Sequence, residues 1–238
     1  MDRPGFNAPT WTNTSLRAMF PFWYGSIAEA IYLLSAERNA DKIIGAGYAP
    51  GFMNLNRWQW IPDMIAYDAN PAHLVLSTSY QVVQLLSSIR ITETLPTSEA
   101  KFGPAYWVAG RSDETGSHIF KAVVYNSTAD VPFDVTFDGV GAGVAGTLTW
   151  LTAPMNGSNY VNSDIVEKHE STVTSDSNGA FNFDMPMYSI GILEVGAQAA
   201  GYESPRSRHG WQGNHQWSHH TGHHGKPHNG PPRRRPRN

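Results

Sequence analysis

The sequence predicts an α+β, multidomain chain: an αβ step of an α/β fold, then an all-β sandwich or jelly roll, then a disordered tail. Three observations predict it. Apolar residues recur at helical spacing in Ser26–Leu34 and Ser77–Ile89, and after Arg90 the pattern changes to short β-rich runs broken by Gly, Asn, Asp and Ser. Between the two helical stretches, Lys42–Tyr48 (KIIGAGY) is a compact apolar run with Gly and Ala, as expected of a strand buried on both faces. From Gly201 on, aliphatic residues nearly vanish, and such a segment buries too little to offset the entropy of ordering. The expected divisions are an irregular lead-in over 1–19, the αβ segment over 20–89, the β-domain over 90–196 and the tail over 197–238.

The lead-in is rich in Pro, Asn and Thr, and the aromatic FPFWY of Phe20–Tyr24 is expected to pack under the first helix. Ser26 and Glu29 read as an S-x-x-E capping box, in which the hydroxyl accepts from the N3 amide and the carboxylate reaches back to the N-cap amide. Ile27, Ala30, Ile31, Leu33 and Leu34 form the apolar face, and Asn39 is the stop. Glu37 is expected to face solvent or pair with Arg38 or Lys42. After the Lys42–Tyr48 strand comes the loop Ala49–Pro62, which carries Asn54, Asn56, Trp58, Gln59 and Trp60. In α/β barrels functional residues occupy loops at the C-terminal ends of strands. Amides beside aromatic rings suit a sugar, whose hydroxyls take hydrogen bonds and whose C–H faces lie flat on a ring. The same tryptophans equally suit packing between elements. Asp63–Ala69 reads as a short strand whose flanking Asp63 and Asp68 either lie near the site or, as the commoner role, cap or close turns, and Ser77 or Thr78 caps the second helix.

In the β-domain the predicted strands are Ala105–Arg111, Ser117–Tyr125, Pro132–Phe137, Ala145–Thr152, Ala180–Met185 and Ile190–Val195, with a turn at Asp176–Gly179. His118, Lys121 and Phe133/Val135/Phe137 show the alternation of a half-buried antiparallel sheet. No internal repeat is present.

The totals narrow the chemistry. The chain has 238 residues, 40% of them hydrophobic, and no cysteine, so neither disulfides nor thiolate catalysis is available. No apolar run approaches the roughly 20 residues that span a bilayer, and MDRPGFNAP lacks the apolar core of a signal peptide. From Gly196 on there are seven Lys or Arg and one acid, leaving ten bases and nineteen acids before it, and an acidic body of this kind is not a nucleic-acid binder. Seven of the ten histidines lie in the tail, where His219-His220 and His223-His224 offer loose metal ligation and Arg233–Arg235 a polyanion contact, neither with defined geometry. Asn13, Asn126 and Asn156 head N-glycosylation sequons. There is no phosphate loop and no Ser/His/Asp spacing; His73, His118 and His169 are scattered.

Long stretches carry a resemblance. GSIAEAIYLLSAERNADKIIGAGYAP, NLNRWQWIPDMI and LSTSYQVVQLLSS, then FGPAYWVAGRSDETGSHIFKAVVYN, VPFDVTFDG, LTWLTAP and IGILEV, together resemble the fungal α-L-arabinofuranosidases of glycoside hydrolase family 51 over about residues 20–195. The resemblance implies the end of a (β/α)8 barrel followed by a jelly-roll domain. It implies hydrolysis, with retention, of terminal arabinofuranosyl groups of arabinan and arabinoxylan, without a cofactor. Retention uses two carboxyl groups about 5–5.5 Å apart. In the family both are glutamates of earlier barrel strands, so the expectation is that no catalytic residue lies in this chain and that the chain alone is inactive. Gln59 is expected to hydrogen-bond the arabinose, with Trp58, Trp60 and Asn56 shaping the pocket. Gly51-Phe52-Met53 departs from the Leu-Leu-Gln usual before Asn54-Leu55-Asn56. The family location is extracellular, and the expected partner is an arabinose-containing saccharide, not a nucleic acid or a membrane. The competing reading is a non-catalytic polysaccharide-binding or structural β-sandwich.

Overall fold

The computed structural model describes residues 18–57, 60–99 and 101–196. The chain divides into a unit over Met1–Ser204 and a second over Pro205–Asn238, and the second lies wholly outside the described residues, as do the His/Arg-rich tail and Asn13.

In chain order the elements are helix α1 (Trp23–Arg38), strands β1 (Phe52–Asn54), β2 (Ile65–Tyr67) and β3 (Val75–Leu76), helix α2 (Thr78–Ser88), and strands β4 (Glu93–Leu95), β5 (Ala105–Arg111), β6 (His118–Val124), β7 (Val131–Thr136), β8 (Ala145–Thr152), β9 (Glu167–Thr174), β10 (Ala180–Met185) and β11 (Ser189–Val195). Strand content dominates, and the β-sandwich reading holds. Six strands form an antiparallel sheet in the order β4-β5-β6-β11-β8-β9, and β7 pairs with β10 in a second sheet.

The six-stranded sheet is covered on both faces. Side chains alternate along a strand, so Val108, Ile119, Val123, Ile190 and Ile192 face α1 and α2 and join Trp23, Ile27, Leu34, Val82 and Leu86 in one core. Their neighbours Trp107, Phe120, Ala122, Val124, Leu193 and Val195 face the β7–β10 sheet and meet Val135, Phe181 and Met185 in another. Lys121 falls on the helix-facing side and is fully buried, which corrects the reading of β6 as a half-exposed strand. Its ammonium donates to Glu37 Oε1 at 2.6 Å and to the Leu86 carbonyl at 2.8 Å. Glu37 therefore pairs across the core rather than with Arg38 or Lys42.

Two local expectations are corrected. Helix α1 starts one turn before the predicted capping box, with Phe22 at its N-cap and no side-chain cap. Its first amides donate instead to the β8–β9 loop: Trp23 to the Gly157 carbonyl at 2.8 Å and Tyr24 to the Met155 carbonyl at 3.0 Å. The Trp23 indole adds a bond to the Tyr188 carbonyl at 2.6 Å. Tertiary partners thus satisfy the orphan helix amides, and Ser26 is released to the helix interior. Second, Lys42–Tyr48 is not a buried strand: it has no ladder partner among the described residues, and Ile44 is fully exposed. A strand forms only where a neighbour takes its N–H and C=O groups, and no described segment offers one. The C-terminus of α1 at Asn39 and the Ser77 cap of α2, whose hydroxyl accepts from the Tyr80 amide at 3.2 Å, are as expected.

The Asp176–Gly179 turn is built by its side chain. The Asp176 carboxylate accepts from the amides of Asn178 (2.8 Å) and Ala180 (3.0 Å). Gly179 sits at φ +83°, and a Cβ there would lie 2.6 Å from the Val140 carbonyl oxygen. Gly179→Ala is expected to cost about 1–3 kcal/mol, read as a lower urea midpoint with an unchanged slope.

Candidate functional site

The loop singled out in the sequence joins two parallel strands, since β1 pairs with β2 in register Phe52 with Ile65 and Asn54 with Tyr67. Met53 and Ala66 point inward and pack with Phe20 and Val75. Phe52 and Tyr67 therefore point outward, with ring centroids 6.5 Å apart in an edge-on contact. Both are exposed, and so is Trp60. The Asn54 side chain accepts from the Asn56 amide at 2.9 Å, which starts the turn. Of the predicted sugar-site residues, Asn56 and Trp60 thus lie on an exposed loop beside an aromatic face, while Trp58 and Gln59 lie outside the described residues.

Behind this loop is a polar cluster that sequence reasoning missed. Ser26 of α1 shares hydrogen bonds with Thr78 (2.8 Å) and Ser79 (3.0 Å) at the start of α2, and the Thr78 hydroxyl donates to the Pro21 carbonyl. The Ser79 side chain hydrogen-bonds both Glu29 and Tyr48. Burial raises the Glu29 carboxyl above the usual range, and the Ser79 bond partly offsets it. Burial likewise raises the Tyr48 phenol, and the nearby Glu29 and Asp63 carboxylates add to the shift. Asp63 is 1% exposed, and neither carboxylate oxygen has a hydrogen-bond partner. Loss of solvent alone pushes its pKa up to about 6. Such a carboxyl changes charge near neutral pH, but it is closed to solvent and meets no substrate from the surface. The sequence carries one sign of it, Asp63 directly after the aromatic loop, whereas Glu29 reads locally as part of a helix cap.

The remaining candidates are simply placed. His73 Nδ1 lies 2.8 Å from Asp68, and the His169 ring stacks on Trp150. Asn126 and Asn156 are exposed. Among the described residues no group of three or more His, Asp or Glu is placed to hold a metal ion, and no helix is long and apolar enough to cross a membrane.

Known proteins resemble this chain in sequence and in fold. The sequence model for the α-L-arabinofuranosidase C-terminal domain matches residues 10–189. The probable α-L-arabinofuranosidase A of Aspergillus flavus is 36% identical over 177 residues, covering 73% of this chain and 27% of that protein. The α-L-arabinofuranosidase A of Aspergillus kawachii is 37% identical over 180 residues, with the same coverage. The chain thus spans about a quarter of the length of the curated relatives it matches. Among solved structures, arabinose-bound MgGH51 α-L-arabinofuranosidase superposes with a TM-score of 0.69 at 25% identity, over 79% of this chain and 30% of that one. The Thermotoga maritima α-L-arabinofuranosidase arabinose complex shares the fold, with a TM-score of 0.60 at 17% identity over 79% of this chain and 41% of that one.

Helices laid on a strand-rich sandwich are consistent with the C-terminal β-sandwich domain of GH51 enzymes. The chain belongs to the α-L-arabinofuranosidase C-terminal domain family.

Proposed function

We propose that the chain acts as the C-terminal part of an α-L-arabinofuranosidase that removes terminal non-reducing arabinofuranosyl residues from arabinan and arabinoxylan with retention. In this reading residues 20–89 close a (β/α)8 barrel and supply one wall of the sugar site through Asn56, Trp58, Gln59 and Trp60, and the sandwich behind them buttresses that wall. The two carboxyl groups of the retaining reaction come from polypeptide outside this chain. The observation that carries the reading is Lys42–Tyr48: an apolar segment without regular structure, exposed from Lys42 to Gly47, that leads straight into the aromatic loop and has the composition of a barrel strand. Barrel neighbours on either side would cover Ile43 and Ile44 and take up the free backbone groups.

The test is direct. The purified chain is expected to release no 4-nitrophenol from 4-nitrophenyl α-L-arabinofuranoside above the buffer rate. Retaining hydrolysis needs the paired carboxyls, so release by this chain would overturn the division of labour proposed here. The alternative, a sugar-binding sheet face, finds less support. Trp107 is in the inner core, and the ring of Trp150 is covered by His169, so neither offers an open platform.

A further inference from the structure

The turn between β6 and β7 borders an open cleft of about 580 Å³ that lies in the β-domain, apart from the aromatic loop. Tyr106 and Tyr125 form its apolar walls, and Asn126, Ser127, Thr128 and Asp130 form its polar rim. Both rings are held in place. Tyr106 stacks on Phe102 with 6.2 Å between centroids and an interplanar angle of 4°, and Tyr125 sets its edge against Tyr188 at 5.4 Å. The Tyr125 amide donates to the Pro104 carbonyl at 2.9 Å, which ties the two walls together. Ser127 Oγ is buried and has no hydrogen-bond partner, an unusual state for a hydroxyl beside an open cleft. The volume falls within the range of small-molecule sites, and two rings with a few polar groups fit a ligand that has one apolar face and several hydroxyls. That is the chemistry of a saccharide.

The sequence identifies a sugar that would already be there. Asn126 stands at the rim, exposed and turned out by a left-handed backbone (φ +57°), and it heads the sequon Asn126-Ser127-Thr128. Of the two sequons among the described residues, this one adjoins the tyrosine cleft. We propose that Asn126 carries an N-linked glycan whose first N-acetylglucosamine packs into the cleft against Tyr106 and Tyr125. In the transfer, Asn126 Nδ2 gives up one proton to solvent and bonds to C1 of the sugar. The C1–O bond to the lipid diphosphate of the oligosaccharide donor breaks, and the lipid diphosphate leaves with the electron pair. The attached glycan then acts as a structural part, joining the β6–β7 turn to the segment before β5.

The full chain secreted from yeast tests this. Enzymatic removal of N-glycans in heavy-oxygen water marks each occupied site as a labelled aspartate, and Asn126 is expected to be marked. Stripping the glycan is expected to lower the melting temperature by about 2–4 °C, the shift typical of a one-contact loss in a chain of this size. In Tyr106→Ala the glycosylated and stripped forms are expected to melt together. Tyr106→Phe keeps the ring and should keep the difference, so the comparison stands even if the alanine variant folds poorly. An unmarked Asn126, or a wild-type chain whose melting ignores stripping, overturns the proposal. So does an unglycosylated chain from bacteria that binds arabino- or xylo-oligosaccharides in a Tyr106-dependent way, because the cleft would then serve a free saccharide.

Discussion

Lys121→Ala is expected to destabilise the chain by about 3–5 kcal/mol, the usual result of removing one partner of a buried ion pair. The Lys121 side chain is 0% exposed and its ammonium bridges Glu37 of α1 and the Leu86 carbonyl of α2. Truncation strands both acceptors at once, and Glu37 Oε2 is already buried without a partner. Domains of this size hold only about 5–15 kcal/mol of net stability, and the melting temperature should fall by about 6–20 °C. Replacing both partners by apolar residues of similar size, as in Lys121→Met with Glu37→Leu, should recover most of the loss, because no charge is then left unpaired. Thermal melts of the three proteins check this. A loss below about 1 kcal/mol in Lys121→Ala would mean that the pair is hydrated in solution.

Asp63→Asn is expected to stabilise the chain, and only above mildly acidic pH. The carboxyl goes from 3.8 to about 6 on folding, pushed up by burial. A raised carboxyl is fully tolerated below pH 3.8 and loses stability as pH climbs through 6, because the unfolded chain releases its proton first. The raised carboxyl corresponds to at most roughly 3 kcal/mol at pH 7.5. Asparagine has the same shape and no charge, so the gain should be near zero at pH 4 and complete by pH 7.5. Tyr48 lies close enough to both carboxyls to feel their charge, and Glu29, whose carboxyl burial also raises, adds a slope of the same sign. Urea titrations of both proteins across that range provide the measurement, and a gain independent of pH would show that the Asp63 carboxyl is not raised on folding.

Where one side chain sequence carried its own period, the structure follows it. The ranges Ala105–Arg111, Ala145–Thr152 and Ala180–Met185 match residue for residue, and α2 starts at its serine cap. Strand β9 (EKHESTVT) escaped notice because it is an edge strand whose residues are exposed or half-exposed throughout, so it has no apolar face to announce it. The placement of Lys121 was hidden for the opposite reason: a lone lysine in HIFKAVV looks like the solvent side of a strand, and only the helix carboxylate that meets it makes burial tolerable. The candidate site was half legible. Its aromatic loop stood out by composition, but the Glu29–Tyr48–Asp63–Ser79 cluster brings together residues from four separate stretches, and each of them locally resembles a cap, a strand or a turn. No window of sequence contains that assembly.

The start of α1 has a consequence for how the protein is made. Its first amides wait for carbonyls at Met155 and Gly157, about 130 residues further along the chain. At ordinary rates of synthesis the ribosome delivers that turn on the order of ten seconds after the helix emerges. Until then Trp23, Ile27, Ala30 and Leu34, all buried in the finished fold, can pack only on α2, β5 and β6, which are synthesised earlier. The first turn of α1 is therefore completed only when β8 and the loop behind it have left the exit tunnel.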